Sequence, residues 1–237
     1  MKKDFSPTLL DFGDIRIYLA RHFGFCYGVE NAIEIAFRTV DENPGKSIFL
    51  LSEMIHNPKV NEDLRNKGVD FLQDTYGNEI IPFSSLTKDD IVLIPAFGTT
   101  IAIEEKLKAI GIAIEKYNTT CPFVEKVWNR SEQIAAKDYT VIVHGKPTHE
   151  ETRATFSHAA ANTPTVVVND MKETILLSKY ITGALPAEQF YIDFKGRYAE
   201  GFDVSKDFRT DWCCKPDDHA GQRYAGYSRL PETGDGQ

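Results

Sequence analysis

The sequence predicts an α/β protein built mainly on parallel sheets. Three observations carry this. Strand-like apolar runs alternate with helical periodicity along most of the 237 residues. The run at 91–96, Ile91-Val92-Leu93-Ile94-Pro95-Ala96, is apolar throughout, as a strand covered on both faces requires. A strand–cysteine–helix unit built on Cys26 restarts around Cys121.

Taken in order, residues 15–20 read as a strand and 28–40 as a helix, with Val29, Ala32, Ile33 and Ala36 on one face. A strand at 47–51 precedes a helix at 59–67, which Gly68 closes. After the strand at 91–96, a helix at 100–110 has Thr99 or Thr100 as its cap and Gly111 as its stop. A helix at 123–137, a strand at 139–143, a helix from about 150 to 160, a strand at 165–168 and a helix at 171–180 complete the alternation. The restart near residues 116–120 divides the chain into a first lobe, 1–118, and a second, 119–208.

The stretch 209–237 differs. Leu230 is its one aliphatic residue, and it has no Val, Ile, Met or Phe. Such a segment has little apolar surface to bury, so it is expected to be disordered. Adjacent cysteines such as Cys213-Cys214 are poor zinc spacing.

The formal net charge of −8 argues against a nucleic-acid surface. No run of 18 apolar residues exists to span a membrane. The start, with its two lysines followed by Asp4 and Pro7, is unlike an export signal, so reduced thiols in the cytoplasm are expected.

Cys26 and Cys121 each sit between a strand and a helix. There the free N–H groups of a helix start favour a thiolate. Singly, each reads better as a small buried hydrophobe; their shared setting shifts the reading to iron–sulfur chemistry. His56, in Glu53-Met54-Ile55-His56-Asn57-Pro58, follows a strand directly, where α/β sheets bind ligands. The segment His144-Gly145-Lys146-Pro147-Thr148-His149-Glu150-Glu151-Thr152 offers imidazole for an anion and a carboxyl for proton transfer. Phe97-Gly98-Thr99-Thr100 is a small polar loop compatible with phosphate. His22 and His158 read as structural.

Together these segments resemble the LytB family, the 4-hydroxy-3-methylbut-2-enyl diphosphate reductases, in its longer cyanobacterial and plant-like form. Phe25-Cys26-Tyr27-Gly28-Val29-Glu30, the His56 segment, Pro95-Ala96-Phe97-Gly98, Thr119-Thr120-Cys121-Pro122 with Lys126-Val127-Trp128, and the His149 segment carry the resemblance in order. It implies three similar α/β lobes around a central cluster, of which this chain holds the first and most of the second. It implies a 4Fe-4S cluster on three cysteines, with Cys26 and Cys121 matching two of them. It further implies His56 and His149 on the diphosphate and Glu151 as proton relay. Phe97 stands where shorter members carry a histidine. Glu150, about 100° round the helix from Glu151, is expected to matter less. The implied reaction is a two-electron reductive dehydration giving isopentenyl and dimethylallyl diphosphates, with ferredoxin or flavodoxin as donor. The resemblance stops at Phe208. Past it the longer form continues with a strand and an Asn-Gln-Thr-Thr turn, which residues 209–220 can encode when read one base later with suitable synonymous codons. The resemblance therefore implies a truncated chain with a frameshifted tail at 209–237, in which Cys213-Cys214 are accidental. The third cysteine finds no match, so the chain alone is expected to be inactive and a poor cluster binder. The alternatives are an inactive remnant, or a phosphate-binding α/β module without iron.

Overall fold

The computed structural model describes residues 6–208, apart from 22 and 138, and the backbone of 211–214. It opens with an antiparallel hairpin of β1 (Thr8–Asp11) and β2 (Arg16–Leu19), every residue of which is exposed. The expected first strand therefore exists, but outside the parallel sheets.

The first lobe begins with α1 (Tyr27–Glu42), whose Ala32 and Ala36 are fully buried. β3 (Ile48–Leu50) leads through Asn57 into α2 (Pro58–Asn66). The Asn57 side chain accepts from the N–H groups of Lys59 and Val60, and Pro58 sits where a missing N–H costs nothing. β4 (Val69–Phe71) and β5 (Ile91–Leu93) flank β3, giving a parallel sheet of order β4-β3-β5. One sheet face packs on α1 and α2, burying Ile48, Leu50, Leu64 and Leu93. The other packs Leu51, Phe83, Val92, Ile94 and Leu107 against α3 (Ile101–Ile110). Gly111, at φ 94°, ends α3 in the left-handed conformation that a side chain would oppose.

The second lobe repeats the plan. α4 (Pro122–Ala135) precedes β6 (Thr140–His144), α5 (Glu150–Ala160), β7 (Thr165–Val168) and α6 (Met171–Ile181). Two short helices follow, α7 (Ala187–Asp193) and α8 (Val204–Asp207). Ile134, Val141, Val143 and Ala159 fill one face of its sheet. An aromatic cluster fills the other, with Phe190 at its centre stacked on Phe194 at 5.1 Å and on Phe202 at 5.3 Å. Phe208 joins it edge-on to Phe190 at 5.4 Å. Tyr180 donates to Asp193 at 2.5 Å, and burial with that acceptor pushes its hydroxyl up to about 12.

The expectation of disorder after residue 208 needs correction at four residues. Asp211–Cys214 form β8, parallel to β6, completing the order β7-β6-β8. Strand pairing uses backbone groups, so the open edge of β6 can template a strand that brings few aliphatic side chains. The side chains of 211–214, and residues 215–237, lie outside the description, as does His22. Among the described residues no helix is long and apolar enough to cross a membrane.

The lobes meet along α5. Thr100 occupies the cap position of α3 as expected, but its side chain makes no capping bond. Ser157 of α5 does this instead, accepting from the Ile101 N–H at 3.0 Å. Arg153 donates to the carbonyls of Thr75 and Tyr76, at 3.0 and 2.6 Å. His158 bonds the Thr99 carbonyl at 3.1 Å and stacks on Trp128 at 3.7 Å.

Burial lowers the His158 pKa from its usual 6.5. The unfolded chain then takes up a proton on this ring at higher pH than the folded one, so the fold loses stability as pH falls through about 6.5. Urea midpoints measured from pH 7.5 to 5 should fall less steeply in His158→Gln than in the parent. Parallel curves would contradict the buried neutral ring.

Candidate functional site

The site lies where the carboxyl ends of β3, β5 and β6 face the starts of α1, α4 and α5, as ligand sites in α/β folds do. Cys26 and Cys121 are the N-cap residues of α1 and α4, with extended-type backbones (φ −69°, ψ 159° and φ −59°, ψ 128°). Neither thiol makes a capping hydrogen bond. Each keeps its helix start through the backbone instead: Cys26 accepts from the Glu30 N–H at 2.9 Å, and Cys121 from that of Glu125 at 3.1 Å. Cys121 is itself pinned to the first lobe by its N–H on the Ala96 carbonyl, at 2.9 Å.

Gly28 brings the two helix starts together. A Cβ placed on it would lie 2.3 Å from the Cys121 Sγ and 3.6 Å from Pro122 Cδ. The buried thiol of Cys121 therefore rests on the backbone of the first turn of α1, two residues beyond Cys26, which is exposed. Two helix N-termini, each with a thiol beside uncapped N–H groups, face one region. That donor set suits soft metal chemistry and anions alike.

Beside them is a cavity of about 370 Å³. Its lining includes Cys121, His56, Phe97, His149 and Glu151. Four of the five residues expected at the site thus converge on one space, from both lobes. Cys26 does not line the cavity; its neighbours Phe25 and Val29 do. The loop residue Phe97 packs against both histidines, with ring centroids 4.5 Å from His56 and 5.6 Å from His149. The two imidazoles are 5.0 Å apart, edge to face.

His149 caps α5. Its Nδ1 accepts from the Glu151 N–H at 3.3 Å. An accepting Nδ1 puts the hydrogen of the neutral ring on Nε2. Glu151 is only 3 % exposed.

Glu150 departs from expectation. Its place round the helix suggested a lesser role, yet it is 6 % exposed and its Oε2 lies 3.2 Å from the His56 Nε2. Burial raises its carboxyl pKa, while the Ser52 hydroxyl, His56 and Arg153 pull the other way. No local pattern pointed to this pair, because its members are 94 residues apart. Trp128 and His158 line a second cavity with Glu125 and Glu132, away from the histidine pair.

Comparison with known proteins shows the family and the fold. The profile of the family described as LytB protein matches residues 17–191. The 4-hydroxy-3-methylbut-2-enyl diphosphate reductase of Picosynechococcus sp. is 42% identical over 195 residues, covering 82% of this chain and 47% of the relative. That of Prochlorococcus marinus is 41% identical over 201 residues, covering 85% and 48%. The chain spans about half the length of the curated relatives it matches. Two solved structures share the fold. The E-1-hydroxy-2-methyl-but-2-enyl-4-diphosphate reductase of Plasmodium falciparum superposes with a TM-score of 0.56 at 24% identity, over 65% of this chain and 45% of that one. An (E)-4-hydroxy-3-methyl-but-2-enyl diphosphate reductase gives 0.57 at 23%, over 83% and 66%.

The close approach at Gly28 is testable. Alanine inside a helix ordinarily stabilises by about 0.5–1 kcal/mol over glycine. Here the clash with the Cys121 Sγ should reverse the sign and cost about 1–3 kcal/mol, as overpacking does. Gly28→Ala should lower the urea midpoint, and Cys121→Ala in the same chain should restore it. A raised midpoint in Gly28→Ala alone would contradict the packing.

Proposed function

Because this chain belongs to the LytB family, we propose that it carries the cluster-binding and substrate-binding residues of a 4-hydroxy-3-methylbut-2-enyl diphosphate reductase. The observation that carries this reading is the convergence of His56, His149, Glu151 and Cys121 on one cavity from two lobes. A chance α/β domain has no reason to gather a thiol, two imidazoles and a buried carboxyl there.

Each residue has a part suited to its setting. Cys26 and Cys121 would supply two of the thiolate ligands of a 4Fe-4S cluster. Their thiols sit free of capping bonds at adjoining helix starts, which leaves both sulfurs open to a metal and fits that part. Among the described residues no group of three potential metal donors occurs, so the third ligand comes from outside them. When bound, such a cluster supplies electrons and a Lewis-acidic iron. His149, with its hydrogen on Nε2, donates to a phosphate oxygen, and His56 approaches the same diphosphate from the first lobe. Glu151 delivers a proton to the departing hydroxyl, which leaves as water. The overall change consumes two electrons and two protons, one proton going to water and one to the allylic carbon. Phe97, packed against both histidines, keeps water from the apolar part of the substrate. A small soluble carrier such as ferredoxin or flavodoxin supplies the electrons, and reduced cysteines suit the cytoplasm.

Iron content and turnover test this reading separately. After anaerobic reconstitution of the intact reductase carrying this sequence, Cys26→Ser and Cys121→Ser should each hold less iron per chain than the parent. Equal iron in all three would remove the ligand assignment. In the intact reductase carrying this sequence, Glu151→Gln should keep its iron and lose roughly 10²–10⁴-fold in turnover with reduced viologen dye, the usual worth of a positioned acid. Parental turnover would remove the proton-relay role.

A further inference from the structure

Glu150 and His56 form a buried-to-half-buried pair that the reading above leaves unused. We propose that Glu150 is a positioning residue that makes anion binding at His56 proton-coupled, an inference that rests on the diphosphate reading of the cavity.

The argument starts from the ring. The His56 Nε2 faces the Glu150 Oε2 at 3.2 Å. With Glu150 ionised, Nε2 carries the hydrogen and donates it. In the neutral ring Nδ1 then bears a lone pair, which repels a phosphate oxygen. To donate to the anion, Nδ1 must gain a proton from solvent. One N–H bond forms, no electrons are transferred, and the ring becomes imidazolium between the Glu150 carboxylate and the phosphate. Charge-assisted hydrogen bonds on both sides hold it there.

The surroundings favour this state. Glu150 is 6 % exposed, and burial makes its charge costly. A positive ring beside it reduces that cost. From the same helix, His149 faces His56 at 5.0 Å and Arg153 acts on the Glu150 charge from one turn along. Ser52 approaches Glu150 from the first lobe. Cys121 and Glu151 share the cavity with His56, and Phe97 packs on its ring without any charge. The two histidines therefore differ. His149 already has its hydrogen on Nε2, set by the Glu151 N–H on Nδ1. His56, whose Nε2 hydrogen is engaged by Glu150, becomes a donor to the anion only on protonation.

Inorganic pyrophosphate tests this on the 237-residue chain. Calorimetric titration at pH 8 in buffers of different ionisation enthalpy counts the protons taken up on binding. The parent should take up as much as about one proton more than Glu150→Gln. The amide that this substitution introduces can donate to Nε2 and leave the hydrogen on Nδ1 without uptake. Protons exchanged by pyrophosphate itself are common to both proteins and cancel. Affinity of the parent should accordingly fall with rising pH by as much as about tenfold per unit relative to the variant. His56→Asn should remove the difference, and adding Glu150→Gln to it should change nothing further. Equal proton uptake by parent and Glu150→Gln, with binding intact, would overturn the proposal and leave the diphosphate reading standing. Absence of pyrophosphate binding in the parent would overturn the reading and the proposal together.

Discussion

Helix α5 holds the site together because one helix belongs to the second lobe and bonds to the first. Glu150 reaches His56, Arg153 reaches the carbonyls of Thr75 and Tyr76, Ser157 caps α3, and His158 reaches the Thr99 carbonyl. These positions fall at spacings of three, four and one, which keeps them on one side of a helix. The start of the same helix presents His149 and Glu151 to the cavity. Anchoring and the candidate site therefore share one eleven-residue helix and its cap, His149, and any tilt of α5 would move both.

That seam is polar by necessity. The proposed chemistry needs ionisable groups at the junction of two sheets, and a junction lined by Leu and Ile could not hold them. Polar groups buried there must find partners, since a buried unpaired group costs about 1–3 kcal/mol. The partners they find lie on the opposite lobe. Stability of the seam and placement of the site groups are thus the same set of hydrogen bonds.

This also explains what the sequence made legible. Apolar runs such as 91–96 and 165–168 marked buried strands, since each is covered on both faces. Asn57-Pro58 and Gly111 marked helix ends through local chemistry. His56, His149, Glu151 and Cys121 stood out through motif and turn context, and the fold brings them to one cavity. The seam was hidden. The buried face of α5 includes Glu150, Glu151, Thr152 and Thr155, a pattern that reads as solvent-facing in a one-dimensional profile. Ser157 capping a helix 56 residues away, and Glu150 pairing 94 residues away, leave no local trace. β4 escaped notice because three residues, Val69-Asp70-Phe71, are too few to show a period. β8 escaped because its backbone, paired to β6, makes the strand.

The central claim is that one anion site is built jointly by the loop after β3 and the start of α5. Peptide-resolved hydrogen exchange of the chain, with and without inorganic pyrophosphate, addresses it directly. The account predicts that pyrophosphate slows exchange in both segments, around residues 55–60 and around 149–153, over the same concentration range. Protection confined to one segment, or appearing in the two at different concentrations, would contradict a shared site.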